Sequence, residues 1–498
     1  MLLFLVGCQA AATPGDGCVR ASDCPSGLVC AIGRCRDGCR TSDDCGPSAR
    51  CIVDPTTMVR SCSLSVDSCA THDCALGFVC RDDQCLNACG SLVGCPDRAC
   101  EDGACVPLHG DSGVAPLDAS VPMGVVHIAA GNRGFCATTG AGALWCWGDA
   151  TAGALGDGLE MHGDCDTCAS TPQQALRSPG HPLTGVTLSA TQTGFTCAVV
   201  AGIVECWGNG PLGSVGAFTS LTPVQAQVSY MGEIGPIDAT TMITAGTDHL
   251  CAVWGQSQTV SCWGEGPNGQ LGDGAATPRT DFAITASQFA SMPLAISASQ
   301  HHTIVLDGSG KMHGVGINSA LELGTTLPTD ATTATSPDFP AARLMVTNGA
   351  HTCFVGAGDG ALHCLGGDYL AVLGAPPIPD LTSCDVGMCT ATPSTLNVPN
   401  GETIMALGLT DADACVATSS GAVFCVGEGA IMSTDSTTLL QVTTLTDVMA
   451  LAGSDDAMCA LTHGGQVLCW GSNDHGQLGR GTHDDGAFPT PVAVTIPE

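Results

Sequence analysis

The chain has 498 residues, of which 47 are acidic, 14 are lysine or arginine and 33 are cysteine. Its formal net charge of −33 at pH 7 excludes a protein that holds nucleic acid by its phosphates, because that binding needs clustered basic side chains. Aromatic residues make up only 4% of the sequence, so a core rich in large rings is also excluded. The abundance of cysteine favours an exported protein that folds in an oxidising compartment.

An apolar run at residues 2–6 is followed by Gly7, Cys8 and Gln9. This pattern resembles the lipobox of bacterial lipoproteins, in which the signal peptide is cut before the cysteine and its sulfur is acylated. The resemblance implies a signal peptide at residues 1–7, lipidation of Cys8 and a tether at residues 8–17. The cysteine count agrees, because the other 32 cysteines can be assigned to pairs. We therefore expect a lipid-anchored protein at the outer membrane or cell surface, with its acyl chains as the only membrane contact.

Residues 18–105 contain sixteen cysteines in four groups of four. A segment with this cysteine density cannot form a conventional core, so two disulfides per group must hold it, and their connectivity is left open. The groups are similar to small cysteine-rich modules of secreted proteins, the N-terminal region of Dickkopf proteins among them. Residues 106–123 contain several prolines and glycines but no cysteine, and are predicted to form a linker.

A hairpin unit recurs seven times in residues 124–498, and six of its copies carry two cysteines. The midpoint of each cysteine pair falls on turn residues, such as Gly202, which predicts two short strands joined by a turn. Cysteines placed symmetrically about such a turn face each other at a distance that a disulfide can bridge. The fourth copy has Ile304 and Gly314 at the two positions, so both cysteines are absent together. A metal site is the alternative for these pairs. The predicted hairpin disulfides are Cys136 with Cys146, Cys197 with Cys206, Cys251 with Cys262, Cys353 with Cys364, Cys415 with Cys425, and Cys459 with Cys469.

Two of the longer loops contain a further cysteine pair, Cys165 with Cys168 in one loop and Cys384 with Cys389 in the other. We predict that a disulfide closes a small ring in each loop. A zinc or redox role for Cys165 and Cys168 is the alternative, because two cysteines separated by two residues also occur in metal and redox sites.

The hairpin units resemble the repeats of the regulator of chromosome condensation family, whose consensus runs from Gly-x-x-His through Trp-Gly and Asn to Gly-Gln-Leu-Gly. The best copies are at residues 246–249, 263–264 and 269–272, and at residues 470–473 and 476–479. The resemblance implies an all-β fold, a seven-bladed β-propeller of four-stranded blades at residues 124–498, preceded by the disulfide-rich modules. The sixth copy is the poorest, because it keeps Cys425 and Gly427 but lacks the Leu-Gly end.

The repeat spacing varies mainly after the Leu-Gly element, for example at residues 157–185 and 375–403. We expect these insertions to emerge on one face of the ring. The chain ends in a β-branched run at residues 488–498. We expect this run to pair with the strand near residues 125–129 and to bury Val492, Val494 and Ile496 in a closing blade that both ends share.

The sequence contains few candidates for catalysis. Residues 308–311 look like the end of a phosphate-binding loop, but Val305 occupies the position of its first glycine, so a hairpin turn is favoured. Histidines recur at one repeat position and favour a structural hydrogen bond within each blade: His249, His302 and His351. A catalytic acid or base among the loop histidines and aspartates is the open alternative: His162, His181, His475 and His483 with Asp164, Asp474, Asp484 and Asp485. No catalytic residue, metal or cofactor is predicted.

These features favour a non-catalytic surface lipoprotein, whose propeller is a binding platform for a protein or a glycan. The alternative is an extracellular enzyme or enzyme inhibitor that acts at one propeller face. The family's nucleotide exchange on a small GTPase is a weaker candidate, because an exported protein would not meet that partner. The acidity is typical of a solvated surface, with a cationic or calcium-mediated partner as the alternative. We expect a monomer with no nucleic acid partner.

Overall fold

The computed structural model describes residues 124–497, apart from short segments at 161, 163–164, 166, 211–219, 231–232, 256–257, 278, 286–290, 326–329, 368–371, 375–377 and 385–386. It also describes the strand backbones of four hairpins between residues 28 and 106. The chain forms two compact units, Met1–Ala115 and Pro116–Glu498. The predicted signal peptide, Cys8, the tether and residues 107–123 of the predicted linker lie outside the described residues.

One two-stranded hairpin occurs in each of the four cysteine groups. In every hairpin the third and fourth cysteines of the group are Cα partners: Cys30 and Cys35, Cys51 and Cys62, Cys80 and Cys85, and Cys100 and Cys105. The strands are β1 (Leu28–Ala31), β2 (Arg34–Asp37), β3 (Ala49–Val53), β4 (Arg60–Leu64), β5 (Phe78–Arg81), β6 (Gln84–Asn87), β7 (Ala99–Glu101) and β8 (Ala104–Val106).

Seven antiparallel blades follow one another along residues 125–494, which confirms the predicted all-β, seven-bladed propeller. Blades one and two contain β9 (Val125–Ala130), β10 (Gly134–Thr139), β11 (Leu144–Asp149) and β12 (Cys168–Gln174), then β15 (Val186–Gln192), β16 (Phe195–Val200), β17 (Ile203–Gly208) and β18 (Ser220–Gln225). Between them lies the hairpin of β13 (Leu176–Ser178) and β14 (His181–Pro182). The hairpin of β19 (Gln227–Tyr230) and β20 (Glu233–Pro236) joins the outer edge of blade three.

Blades three and four contain β21 (Met242–Ala245), β22 (His249–Trp254), β23 (Thr259–Gly264) and β24 (Arg279–Thr285), then β25 (Pro293–Ala298), β26 (His302–Asp307), β27 (Met312–Gly316) and β28 (Ala331–Thr335). Blade five contains β29 (Ala342–Asn348), β30 (His351–Gly356), β31 (Leu362–Gly367), β32 (Thr382–Cys384) and β33 (Gly387–Leu396). Blades six and seven contain β34 (Ile404–Leu409), β35 (Asp413–Thr418), β36 (Val423–Gly427) and β37 (Ser436–Gln441), then β38 (Val448–Gly453), β39 (Ala457–Thr462), β40 (Val467–Asn473) and β41 (Asp484–Val494).

Each blade is built around a meander, because short turns make strands pair with their neighbours along the chain. Successive connections therefore alternate between the two ends of the ring. The turn between the first two strands of a blade and the loop between its third and fourth strands lie at one end, here named the turn end. The turn between the second and third strands and the connection to the next blade lie at the opposite end, here named the bulge end.

This alternation corrects the prediction that the insertions emerge on one face. Residues 157–167 lie between β11 and β12, at the turn end. The β13–β14 hairpin follows β12 and therefore lies at the bulge end. Both segments follow the same Leu-Gly element, but a complete strand separates them and reverses the direction of the chain.

Six disulfides join the second and third strands of their blades, with Cα atoms 4.0 to 4.2 Å apart. They are the hairpin pairs expected from the turn positions, because each cysteine and its partner lie directly opposite in the strand register. The bonded residues are Cys136 and Cys146, Cys197 and Cys206, Cys251 and Cys262, Cys353 and Cys364, Cys415 and Cys425, and Cys459 and Cys469.

Blade four has no cysteines in these two strands. Ile304 and Gly314 are Cα partners there, which agrees with the predicted alignment of this copy. A Cβ atom on Gly314 would lie only 3.0 Å from the Leu323 side chain. The leucine therefore occupies the space beside this strand pair in place of a disulfide.

Neighbouring blades are joined by contacts from the Leu-Gly segment of one blade to the third strand of the next. The indole Nε1 of Trp207 in blade two donates a hydrogen bond of 2.9 Å to the Ala154 carbonyl of blade one. The same contact closes the ring, since Trp147 Nε1 in blade one donates 2.9 Å to the Gln477 carbonyl of blade seven. Blades seven and one therefore meet through the same contact as blades one and two.

The prediction of a closing blade shared by both chain ends is wrong. The last strand, β41, pairs with β40 as the outer strand of blade seven, and β9 pairs only with β10. Val494 is nevertheless buried in one apolar cluster with Val125 and Ile128 of blade one, while Val492 is only partly buried. Closure comes from side-chain packing between complete blades, not from a shared sheet.

Blade six interrupts the pattern of indole hydrogen bonds. Trp470 in blade seven is fully buried, yet its Nε1 has no hydrogen-bond partner among the described residues. The adjoining loop of blade six carries Ile431 where other repeats have the Leu-Gly end.

Because Trp147 makes an indole hydrogen bond and Trp470 does not, we expect the same substitution to reduce the free energy of unfolding by different amounts at the two positions. Trp147→Phe should lower the stability by about 1 to 2 kcal/mol more than Trp470→Phe, because only the first leaves a buried carbonyl without its donor. Thermal melting of both variants measures the difference, expected to be a few degrees. Both variants replace a buried indole by a phenyl ring, so the loss of packing is the same type in both and the difference between them reports the hydrogen bond. Equal melting temperatures would contradict a role for the indole hydrogen bond.

Candidate functional site

The first strands of all seven blades surround a central cavity of about 220 Å³. Small-molecule pockets usually measure about 300 to 1,000 Å³, so this cavity is small for such a ligand. Its wall alternates short apolar residues with polar ones, including Ser189, Thr244 and Thr347. The cavity suits a single side chain better than a cofactor.

The turn end of the cavity is bounded by a continuous ring of hydrogen bonds between blades. Each blade's first turn or the strand beside it donates to the next blade, and the last pair links blade seven to blade one. The seven donors and acceptors are Asn132 N to Gln192 Oε1, Gln192 Nε2 to Ala245 O, Thr247 N to Gln300 O, Ser299 Oγ to Gly349 O, Asn348 Nδ2 to Leu409 O, Asp411 N to Asp455 O and Asp455 N to Asn132 O.

Aspartates concentrate on this ring where blades six, seven and one meet. Asp411 and Asp455 are partly buried, and one carboxylate oxygen of each has no hydrogen-bond partner among the described residues. Asp456 beside them is exposed. The charge of Arg133 acts on Asp455 and Asp456, and its Nη1 lies 3.2 Å from His475 Nε2. The turn end therefore carries several carboxyl groups and one nearby arginine.

Burial raises the pKa of Asp411, Asp455 and the neighbouring blade-six residue Asp413 well above the usual range of an aspartate. Desolvation, with the neighbouring Asp456, raises the pKa of Asp411 to about 6. Desolvation, with Asp411 and Asp456, raises the pKa of Asp455 to about 7, against the opposing charge of Arg133. Asp413 is fully buried, and desolvation raises its pKa to about 6 despite hydrogen bonds from Gly429 and Thr410.

A pH-dependent stability follows from these shifts. A carboxyl with a raised pKa holds its proton in the folded state after the unfolded chain has released it, so stability falls as pH rises from about 4 to about 7. The double variant Asp411→Asn and Asp455→Asn should therefore raise the melting temperature relative to the parent, by an increment that grows over this range and then stays constant. Thermal melting of both proteins from about pH 4 to pH 8 measures the increment.

Comparison with the parent at each pH is necessary because buried histidines act in the opposite direction. Burial lowers the pKa of His249 and His302 to about 3 and of His127 and His351 to about 4, so these groups favour folding as pH rises. The exposed Asp338→Asn is the control, because it makes the same chemical change at a surface position between blades four and five. An increment that is the same at all pH values would contradict the assignment.

The recurring histidines are structural, but two of them bridge blades where the sequence favoured bonds within a blade. His249 Nε2 in blade three lies 2.7 Å from Thr303 Oγ1 of blade four. His302 in blade four makes the equivalent contact with Thr347 Oγ1 of blade five. All three recurring histidines are fully buried, so they are not available to a substrate.

The loop histidines do not converge on one pocket. His162 and His475 lie in loops at the turn end, where His162 approaches Asp157 at 3.5 Å and His475 approaches Asp474 at 2.9 Å. His181 lies at the opposite end, in the β13–β14 hairpin. His483, just before β41, and Asp485, the second residue of β41, are both exposed, and Asp484 contacts Arg480. Asp164 lies outside the described residues.

The two loop cysteine pairs also form disulfides in the structure. Cys165 is bonded to Cys168, and Cys384 is bonded to Cys389. Cys389 is fully buried against Leu321 of blade four, so the second ring anchors its loop to the neighbouring blade. Within the described ranges, no three histidine, cysteine or acidic residues are grouped to hold a metal ion.

Residues 308–311 form the turn between β26 and β27, as the hairpin interpretation predicts. The Asp307 carboxylate accepts hydrogen bonds from the backbone N–H groups of Ser309 and Lys311 there. An acid therefore occupies the turn that resembles a phosphate loop.

The bulge end carries a feature that sequence analysis missed. In six blades the first strand contains a β-bulge, which leaves its second residue unpaired with the neighbouring strand and turns that residue outward. Four of these residues are large, apolar and 37% to 49% exposed, and together they are named the apolar arc: Val126, Leu294, Met405 and Met449. The other two are Thr187 and Arg343.

The apolar arc follows consecutive blades, since its members belong to blades four, six, seven and one, and Arg343 occupies blade five. Arg343 Nη2 donates a hydrogen bond of 2.6 Å to the Ile404 carbonyl, next to Met405. The sequence does contain a signal for the arc, because two large apolar residues adjoin at the start of three first strands, as in Ile404 and Met405. Simple alternation between strand faces does not predict the bulge that leaves the second residue of each such pair unpaired with the neighbouring strand.

Two family models for the regulator of chromosome condensation (RCC1) repeat match the chain, at residues 464–497 and 450–477. No curated protein sequence matches it. No helix among the described residues has the length and apolar character of a membrane span.

Solved structures share the propeller fold. Human WBSCR16 has 18% identity and a TM-score of 0.59, over 72% of this chain and 94% of that one. Prp20p from Saccharomyces cerevisiae, described with its binding to Gsp1p and histones, has 14% identity and a TM-score of 0.57, over 75% of this chain and 88% of that one. The chain therefore contains RCC1-type repeats in a seven-bladed propeller, and the likeness to these structures extends to the fold alone.

Proposed function

We propose that this chain is an exported, lipid-anchored binding protein, whose propeller docks another protein or a glycan and performs no catalysis. The apolar arc at the bulge end carries this proposal. Isolated apolar residues are common on protein surfaces and need no explanation. The arc differs because one backbone device, the first-strand bulge, places all four side chains at one structural position around the cavity.

The distribution of polar chemistry supports binding more than catalysis. The loop histidines and acids are divided between the two ends of the ring, and the recurring histidines are buried. In contrast, the arc offers an accessible apolar surface beside a small cavity. Exposed apolar groups with a polar rim are typical of interaction sites.

A matched pair of variants tests the platform. The double variant Met405→Gln and Met449→Gln, here named the arc variant, should reduce capture of surface partners by the full chain about tenfold, because both changed side chains lie in the proposed contact. Quantitative pull-down from cell-surface material, with bound proteins and glycans measured against the parent, gives the result. Leu159→Gln is the control, since Leu159 is 53% exposed but lies at the turn end. If the arc variant captures the same partners as the parent, the docking surface is elsewhere.

An extracellular enzyme is the second candidate, and one observation favours it. Asp411 and Asp455 have raised pKa values and lie together at the turn end, a combination that also occurs in active sites. In that case a hydrolytic activity of the parent would be lost in Asp455→Asn while partner capture by the arc stayed intact. Nucleotide exchange, suggested by the binding of Prp20p to Gsp1p, rests on a fold likeness at 14% identity.

A further inference from the structure

We propose that the bulge end binds a protein segment that presents an apolar side chain between lysine or arginine residues. This inference rests on the proposed platform function and names the chemistry of its partner. Three features of the described surface carry it: the apolar arc, the acids beside it and the cavity behind it.

The arc supplies the apolar contact. Leu294, Met405 and Met449 are 45%, 49% and 37% exposed, and Met292, immediately before β25, is 64% exposed. Methionine is flexible and polarisable, so it adapts to partner side chains of different shape. An apolar side chain that binds here would cover these groups and remove them from water.

Acidic side chains accompany the arc on the blades that carry its methionines. Glu402 precedes Met405 by three residues, and Asp447 precedes Met449 by two. Asp447 is exposed and contacts His463 at 3.0 Å. Hydrogen bonds from the hydroxyls of Ser420 and Thr418 lower the pKa of Glu402, so this carboxyl is ionised at neutral pH. A partner with cations beside its apolar side chain would complement this rim.

The charge of the whole chain favours the same partner. Of its 14 basic residues only six follow Asp102, whereas 34 of its 47 acidic residues do. A field of this sign attracts cationic segments and repels anionic ones, including anionic membrane surfaces. Described cations at the bulge end include Arg343, which is held by the Ile404 carbonyl, Lys311 in the neighbouring turn of blade four, and Arg177, which contacts Glu205.

The central cavity begins one residue beyond the arc, since its lining includes His127, which follows Val126. Ser189 is only 4% exposed, and neither its Oγ nor Nδ1 of His127 has a hydrogen-bond partner among the described residues. Buried polar groups are usually paired, so both can accept a hydrogen bond from the end of one of the partner's lysine or arginine side chains. The cavity volume of about 220 Å³ limits that insertion to one side chain.

Selection from a random peptide library tests the partner's chemistry. The full chain is the bait, and every selected peptide is then measured on the arc variant as well as on the parent. Selected peptides should be enriched in lysine or arginine next to a large apolar residue. Synthetic copies, measured by fluorescence anisotropy, should bind the arc variant about tenfold more weakly than the parent.

A second pair of variants separates charge from apolar contact. The charge variant, Glu402→Gln with Asp447→Asn, should weaken binding severalfold and reduce its dependence on salt, because rim charges mainly accelerate association. Asparagine suits position 447, whose φ is +61°. Asp435→Asn with Asp485→Asn, which changes two exposed acids away from the arc, should match the parent.

Each outcome distinguishes this inference from the platform function. Peptides that need the arc but show no basic enrichment, or bind the charge variant normally, would overturn the inference and leave the platform standing. Peptides that bind independently of the arc would overturn both. If no peptide is selected but phosphatidylcholine vesicles bind the parent and not the arc variant, the surface is a lipid contact and the inference is wrong.

Discussion

Deletion of residues 488–498 is expected to lower the melting temperature by about 10 °C and to expose apolar surface. The deletion removes most of the outer strand β41, including the ladder pairs of Phe488 with Gly471 and of Val494 with Val467. Val494 is 6% exposed and packs in the cluster that joins blade seven to blade one. The loss therefore weakens the interface that closes the ring as well as the last blade.

Thermal melting together with binding of an apolar dye measures both effects of this deletion. Removal of only residues 497–498, which follow the last strand, is the control and should leave the melting temperature unchanged. If the longer deletion melts like the parent, blade seven is stable with three strands, and the remaining contacts between blades seven and one, such as Trp147 with Gln477 and Asp455 with Asn132, are sufficient for closure.

Cys8→Ser is expected to abolish lipid labelling and to release the protein from membranes. The acyl chains on Cys8 are its only proposed anchor, and each buried methylene group contributes about 0.8 kcal/mol to membrane binding. Labelling with a fatty acid precursor and fractionation of cells measure the two consequences. The serine variant should move from the membrane fraction to the soluble fraction.

The double variant Cys165→Ser and Cys168→Ser is the control for this release, because it removes two cysteines from a propeller loop and leaves Cys8 in place. It should retain both the label and the membrane association. A Cys8→Ser protein that stays in the membrane fraction would show that another segment or a partner holds it there, and the lipobox interpretation would then be wrong.

The pairing of the hairpin cysteines in the propeller could be predicted because the two strands of a hairpin are adjacent in the sequence. Cys459 and Cys469 are ten residues apart, with Gly464 and Gly465 between them, so the turn alone aligns them. Both cysteines are absent from blade four because each would serve only as the partner of the other, and Ile304 faces Gly314 as expected. The seven copies of the repeat motif then predicted the number of blades.

The candidate sites depend on contacts between distant parts of the chain. Asp411 and Asp455 belong to different blades that meet in the ring, and Asp455 comes near Arg133 of blade one only when the ring closes. The apolar arc depends on a bulge in each first strand, and one additional residue reverses the face to which a side chain points. The alternation of apolar and polar residues along the strand therefore does not predict that Met405 and Met449 are exposed at the same structural position around the central cavity.

The sequence by itself determined the seven repeated hairpins and their cysteine pairing, because these features arise from turns and strand periods of a few residues, and the resemblance of the repeats implied the all-β, seven-bladed propeller. Only the tertiary structure decided that blade seven is complete without β9, that His249 bonds the next blade, and that the arc and the acidic turns lie at opposite ends. These features depend on how blades pack around a ring, where the interacting residues are often more than fifty positions apart and no local pattern specifies their geometry.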